Sequence, residues 1–275
     1  MRKYSEKYLE ILKNETSIIE NNGVEIILKP SPGEEREGYL DPCEKEIMDG
    51  HWASKSSNDK EAIEEGNGNA DTELERQAPS QDMIISMIRD SMGFANYNLN
   101  TVEIYTKFET ITESGNKVGV WRYYPRHLEK KNNNKALVFF HGGGWIGGTT
   151  YVVENFCKLI AERANCVVFN VDYSLAPEKP YPNGLNDNFC AVKHIYDNAE
   201  KYSIDKTKIA VAGDSAGGNY AAVVSLKARD EKIPMIAMQV LIYPAVAIGD
   251  ASVPGYKWSD DMIMIAPELE EKLDH

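Results

Sequence analysis

Apolar positions along this chain follow two rhythms, and the switch between them predicts where the fold lies. From Ser80, the residues Met83, Ile84, Met87 and Ile88 recur at helical spacing, which predicts an amphipathic helix ending near Gly93 and able to cover a pocket. Residues 102–111 and 117–124 read as strands, and Glu113-Ser114-Gly115-Asn116 between them has the Gly and Asn that suit a hairpin turn. Beyond Asn134 the pattern becomes short, continuous apolar runs at 136–140, 166–171, 208–212 and 236–242. Runs of this kind are buried on both faces, which requires a parallel sheet with helices on each side. The intervening stripes Val152, Phe156, Leu159, Ile160 and Phe189, Val192, Tyr196, Ala199 supply those helices. The fold class is therefore α/β, with an antiparallel pair opening a mostly parallel sheet.

The first part of the chain has neither rhythm for long. A short helix at 4–12 and an apolar run at 24–28 precede residues 30–75, which are mostly Glu, Asp, Ser, Asn and Gly. Such a stretch cannot bury enough apolar area to offset its ordering entropy, so a solvated linker is expected. The organisation predicted is an acidic extension at 1–79, a core at 80–244 and a tail at 245–275.

Composition narrows the partners. The chain has 275 residues, 42% of them hydrophobic, enough for one large α/β domain with a real core. Its net charge of -13 and isoelectric point near 4.9 repel phosphate backbones and anionic lipid, which argues against nucleic acid and membrane surfaces and for a small neutral substrate. No apolar run approaches the ~20 residues a spanning helix needs, and the opening MRKYSEKYLE lacks an apolar signal region, so a cytoplasmic location is expected. Cys43, Cys157, Cys166 and Cys190 follow no metal-ligand or redox spacing, and three of them sit inside apolar periodic runs and read as small buried hydrophobes. No metal or cofactor is implied.

The chemistry sits at the ends of two of the apolar runs. Directly after residues 208–212 comes Gly213-Asp214-Ser215-Ala216-Gly217-Gly218-Asn219, followed by a helical apolar pattern. A G-x-S-x-G string alone arises by chance in a chain this long with a probability on the order of 0.1. Its place between a strand and a helix makes it specific: a sharp turn there projects the Ser215 hydroxyl, and Gly213 and Gly217 let neighbouring chain approach. After residues 136–140 comes His141-Gly142-Gly143-Gly144-Trp145. Successive glycines let backbone amides converge on one point, as an acyl-transfer site requires for an oxyanion, and the Ala216 amide would join them. His141 opens the glycine turn and is read as holding it in shape rather than as a base. His194 falls within a helix, His51 and His127 in polar loops, and His275 is the last residue, so none is a convincing general base.

HGGGW, the stretch Asp172-Tyr173-Ser174-Leu175-Ala176-Pro177-Glu178 with Pro180 and Pro182 behind it, and GDSAGGN together resemble the hormone-sensitive-lipase-like esterases of the α/β-hydrolase superfamily. The resemblance runs from about Ser80 to Pro244. It implies Ser215 as nucleophile, the amides of Gly143, Gly144 and Ala216 as oxyanion hole, a helical cap over the acyl pocket, and a structural part for Asp172. Residues 245–275 resemble the first part of the cap insertion. The family's catalytic acid and histidine follow strands beyond residues 236–242, so a truncated chain lacking the last two strands and both partners is expected. Asp260 or Asp261 with His275 does not replace them, because Trp258-Ser259-Asp260-Asp261 reads as a helix N-terminus. An esterase impaired in this chain alone, or a non-catalytic binder of small molecules, are then the two readings. With 236–242 as a bare apolar edge, self-association or pairing with a complementing chain is expected.

Overall fold

The computed structural model describes residues 17–21, 24–28, 80–92, 97–113 and 115–246, with residues 10, 13 and 14. The expected helix at 4–12 falls almost wholly outside the described residues; so do the linker at 30–75, the tail from 247, and Cys43, His51, Asp260, Asp261 and His275. Strands β1 (Ser17–Asn21) and β2 (Val24–Leu28) form an antiparallel pair in a unit separate from the one that follows.

Within residues 77–248, a six-stranded sheet is assembled from β3 (Ile104–Glu113), β4 (Asn116–Pro125), β5 (Asn134–Phe140), β6 (Cys166–Asp172), β7 (Ile204–Asp214) and β8 (Met238–Ile242). The order across it is β3-β4-β6-β5-β7-β8. The β3–β4 and β4–β6 pairs are antiparallel, whereas β6, β5, β7 and β8 run parallel. The expected opening hairpin and parallel body are both present.

Alternation along the strands sorts the core into two layers. Ala136, Val138 and Phe140 of β5, Val167, Phe169 and Val171 of β6, and Ile209 and Val211 of β7 face one way. There they meet α3 (Asn183–Asp197) and α4 (Ala216–Asp230), which contribute Val192, Ile195, Ala221 and Val224. Leu137, Phe139, Val168 and Ala212 face the other way and pack on Cys157 and Ala161 of α2 (Glu154–Arg163). Covering both faces is what makes the run Leu137–Phe140 continuously apolar rather than alternating. Cys157, Cys166 and Cys190 are free and buried.

Two details depart from the sequence pattern. Strand β7 starts at Ile204 rather than near 208, because a register shift against Asn134 and Ala136 carries Lys206, Thr207 and Lys208 along in extended but exposed chain. Helix α1 (Gln81–Ser91) forms, its Ser80 hydroxyl accepting the Met83 amide, but Met83 and Met87 point outward. Its less exposed side chains are Ile84, Ile85, Ile88, Arg89 and Met92. Strand β8 is the sheet's edge among the described residues, and its Met238 and Val240 are exposed, as a bare apolar edge requires. They line an open apolar groove of about 520 Å³ with Leu137, Phe139, Ile160 and Ala212. Among the described residues no helix is long and apolar enough to cross a membrane.

The entry into β3 is fastened to α2 by one carboxylate. Glu162 accepts from the Thr101 hydroxyl (2.6 Å), the Asn100 side-chain amide (2.9 Å) and the Thr101 backbone amide (2.9 Å), which hold its carboxyl down to about 2. A folded-state value below the ordinary 4.5 means this contribution to stability is complete above pH 4.5 and is lost as pH falls toward 2. Urea unfolding midpoints should therefore fall less across that window in Glu162→Gln than in the unsubstituted protein. Equal falls would show that the carboxylate is not the fastening.

Candidate active site

Strands β5 and β7 are parallel neighbours whose carboxyl ends lie side by side, Phe140 opposite Gly213. The two glycine-containing segments therefore leave the sheet from adjacent points of one edge, the carboxyl end where α/β sheets carry their chemistry. Ser215 stands between β7 and α4 with φ 51° and ψ -119°. That left-handed-side conformation costs a non-glycine residue on the order of 1–3 kcal/mol and persists only where its surroundings enforce it. Here the Ser215 amide donates to the Ile242 carbonyl of β8 (2.9 Å), and the Ser215 carbonyl accepts from Asn219 (3.0 Å) and Ala245 (3.2 Å). The Asn219 side chain also donates to the Ala245 carbonyl, at 2.8 Å. Ser215 is half-buried.

Close approach of backbone to backbone explains the glycine after the serine. A Cβ at Gly217 would fall on the Phe140 carbonyl oxygen and crowd that of His141, 2.6 Å away. The first turn of α4 can thus press against the end of β5 only without a side chain there. Ala216 is the first residue of α4, so its amide is one of the helix's free N-terminal donors.

The glycine loop closes on itself through Gly143. Its carbonyl accepts from Ile146 (3.2 Å) and Gly147 (2.9 Å), and its φ of +130° is a conformation that side chains rarely adopt. Among the described residues, the amides of Gly143 and Gly144 donate to no protein acceptor. His141 is buried, its ring stacked on Tyr173 at 4.3 Å with Nδ1 2.8 Å from the Gly142 carbonyl oxygen. Burial lowers its pKa, which keeps the ring neutral. The Tyr173 hydroxyl donates to the His141 carbonyl at 2.6 Å.

A side-chain hydrogen bond joins the two segments: the Gly142 amide donates to the Asp214 carboxylate at 3.0 Å. Burial pushes the Asp214 carboxyl up, and the Gly142 amide works against that shift. Sequence reasoning placed Asp214 within the motif without finding this bond, which spans 72 positions. It also missed Arg89 of α1, which touches the glycine loop at Ile146. Its only signal was a lone cation beside the inward positions of an amphipathic helix. His127 pairs with Asn165 and His194 with Glu113, both by contacts outside the strand-edge loops. Among the described residues, no histidine or carboxylate hydrogen-bonds to the Ser215 hydroxyl, and no cluster of metal-ligating side chains is present.

Residues 137–272 match the family model described as alpha/beta hydrolase fold. The chain has the α/β-hydrolase fold. The three motifs that suggested it all lie in or beside the matched segment. The chain is 40% identical over 131 residues to carboxylesterase NlhH of Mycobacterium tuberculosis, covering 48% of this chain and 41% of that protein. With an arylesterase of Saccharolobus solfataricus it shares 42% over 123 residues, 45% of this chain and 40% of the relative. It thus spans less than half the length of these relatives. Among solved structures, a hyperthermophilic esterase from the archaeon Pyrobaculum calidifontis superposes with a TM-score of 0.60 at 32% identity, covering 70% of this chain and 64% of that one.

The Gly142–Asp214 bond predicts two different outcomes for two substitutions of this protein. Asp214→Ala strips the Gly142 amide of its acceptor and should cost about 1–3 kcal/mol in urea unfolding. Asp214→Asn keeps an acceptor while removing a charge that burial disfavours, so its stability at neutral pH should equal or exceed that of the unsubstituted protein. Equal losses in both variants would contradict the bond's assigned part.

Proposed function

We propose that this protein hydrolyses short-chain carboxylic esters through an acyl-enzyme on Ser215. The observation that carries the reading is the backbone of Ser215 at φ 51°, a strained turn at a sheet edge whose neighbour ends in a loop with two amides that meet no protein acceptor among the described residues. The carboxylesterase and arylesterase names of its relatives support the same chemistry.

In the proposed reaction the Ser215 oxygen attacks the ester carbonyl carbon, and its proton passes to a general base. The carbonyl oxygen becomes an oxyanion, and the amides of Gly143, Gly144 and Ala216 are the donors we propose for it. Fixed donors aimed at developing charge stabilise it without reorganising at the moment of reaction. Collapse expels the alcohol, which takes the proton from the base, and leaves an acyl-serine; water, deprotonated by the same base, then cleaves it to the acid while the proton returns to Ser215. His141, buried, stacked on Tyr173 and with Nδ1 on the Gly142 carbonyl, holds the loop and is not the base. The net charge of -13 favours neutral over anionic esters. The protein as a binder of small esters without turnover is the other outcome of the test.

Hydrolysis of p-nitrophenyl acetate should fall by at least ~10³-fold in Ser215→Ala. A rate unaffected by that substitution would remove the proposal. Saturable ester binding without turnover in either form would favour the binder.

A further inference from the structure

Arg89 spends its guanidinium on two backbone loops and one carboxylate. Its Nε donates to the Ile146 carbonyl at 2.6 Å and Nη2 to the Ala176 carbonyl at 3.0 Å. Nη1 and Nη2 together grip Glu178 at 2.8 and 2.7 Å. One side chain of α1 therefore fixes the loop after β5 against the loop after β6. The Ala176 amide, donating to the Trp145 carbonyl at 2.9 Å, reinforces that contact. Met92, one turn further along, abuts Gly147, where a Cβ would strike its sulfur.

Ion pairs as exposed as this one contribute little to stability, the Glu178 side chain being 60% exposed. Geometry is a better account of what the clamp does. Ile146, whose carbonyl Arg89 holds, donates its own amide to the Gly143 carbonyl, and Gly147 donates to the same oxygen. The Gly143 carbonyl and the Gly144 amide belong to one planar peptide unit and point in opposite directions. Fixing the carbonyl thus aims the amide. We infer that Arg89 is a positioning residue for the oxyanion-binding loop, setting the direction of the Gly144 amide from helix α1 through Ile146. The inference rests on the esterase reading above for the use of that amide, and on the contacts alone for the clamp.

Glu178 preorganises the fork. Accepting from Arg89 pulls its carboxyl down to about 2, so the pair stays charged at neutral pH. A lysine at position 89 carries the charge but has no planar fork and no Nε donor, and so cannot hold Ile146 and Glu178 together.

The test pairs hydrogen exchange with kinetics. Exchange is followed by mass spectrometry in a Ser215→Ala background, so that it does not depend on turnover. Arg89→Gln and Arg89→Lys should both speed exchange in residues 141–148 while leaving residues 134–140 unchanged, and Glu178→Gln should do so to a smaller degree. With Ser215 intact, both Arg89 substitutions should lower kcat for p-nitrophenyl acetate by about 10–100-fold with KM unchanged, as for a misplaced catalytic group. Unaltered exchange in 141–148, equal acceleration in 134–140, or full rescue of kcat by Arg89→Lys would each overturn the inference. If the unsubstituted protein does not hydrolyse the ester, the esterase reading fails, and the exchange pattern alone decides the clamp.

Discussion

The site depends on two segments of backbone, far apart in sequence, being allowed to touch. The end of β5 and the first turn of α4 meet where Gly217 has no side chain to strike the Phe140 carbonyl. The same pair of segments is pinned by the Gly142 amide on Asp214. Neither contact adds much free energy alone. Together they decide where a strained serine stands relative to a loop of free amides, and relative position is what acyl-transfer chemistry demands.

The strain at Ser215 has to be sustained by something stiff. Its amide is tied to β8, its carbonyl to Asn219 and Ala245, and it follows directly on β7, whose neighbour β5 is wholly buried from Ala136 to Phe140. A rigid sheet edge, not the loop's own preferences, therefore holds the turn open. On the facing side, the stacked His141 and Tyr173 hold the start of the glycine loop, and Arg89 holds its far end. Three separate elements thus act on a handful of amides.

Much of this was legible in the residues. Leu137 to Phe140 and Cys166 to Val171 are apolar without interruption because both faces are covered, and that signal survives any sequence order of the strands. The glycine motifs stand at strand ends because only there can backbone be presented to a ligand. What stayed hidden is pairwise and long-range. The sheet order β4-β6-β5-β7 is set by crossovers that leave no periodic trace. Extended chain at Asp205 to Thr207 looks like a loop because its side chains are polar. The rotation of α1, which turns Met83 and Met87 outward, and the grip of Arg89 across 57 positions both arise from partners that no local pattern names.

The most direct measurement is a crystal structure of the protein treated with a fluorophosphonate, a stable mimic of the tetrahedral intermediate. The geometry above predicts phosphonate bonded to the Ser215 oxygen, with one phosphoryl oxygen about 2.7–3.1 Å from the amides of Gly143, Gly144 and Ala216. An adduct on any other residue, or a phosphoryl oxygen turned away from those amides into solvent, would contradict it.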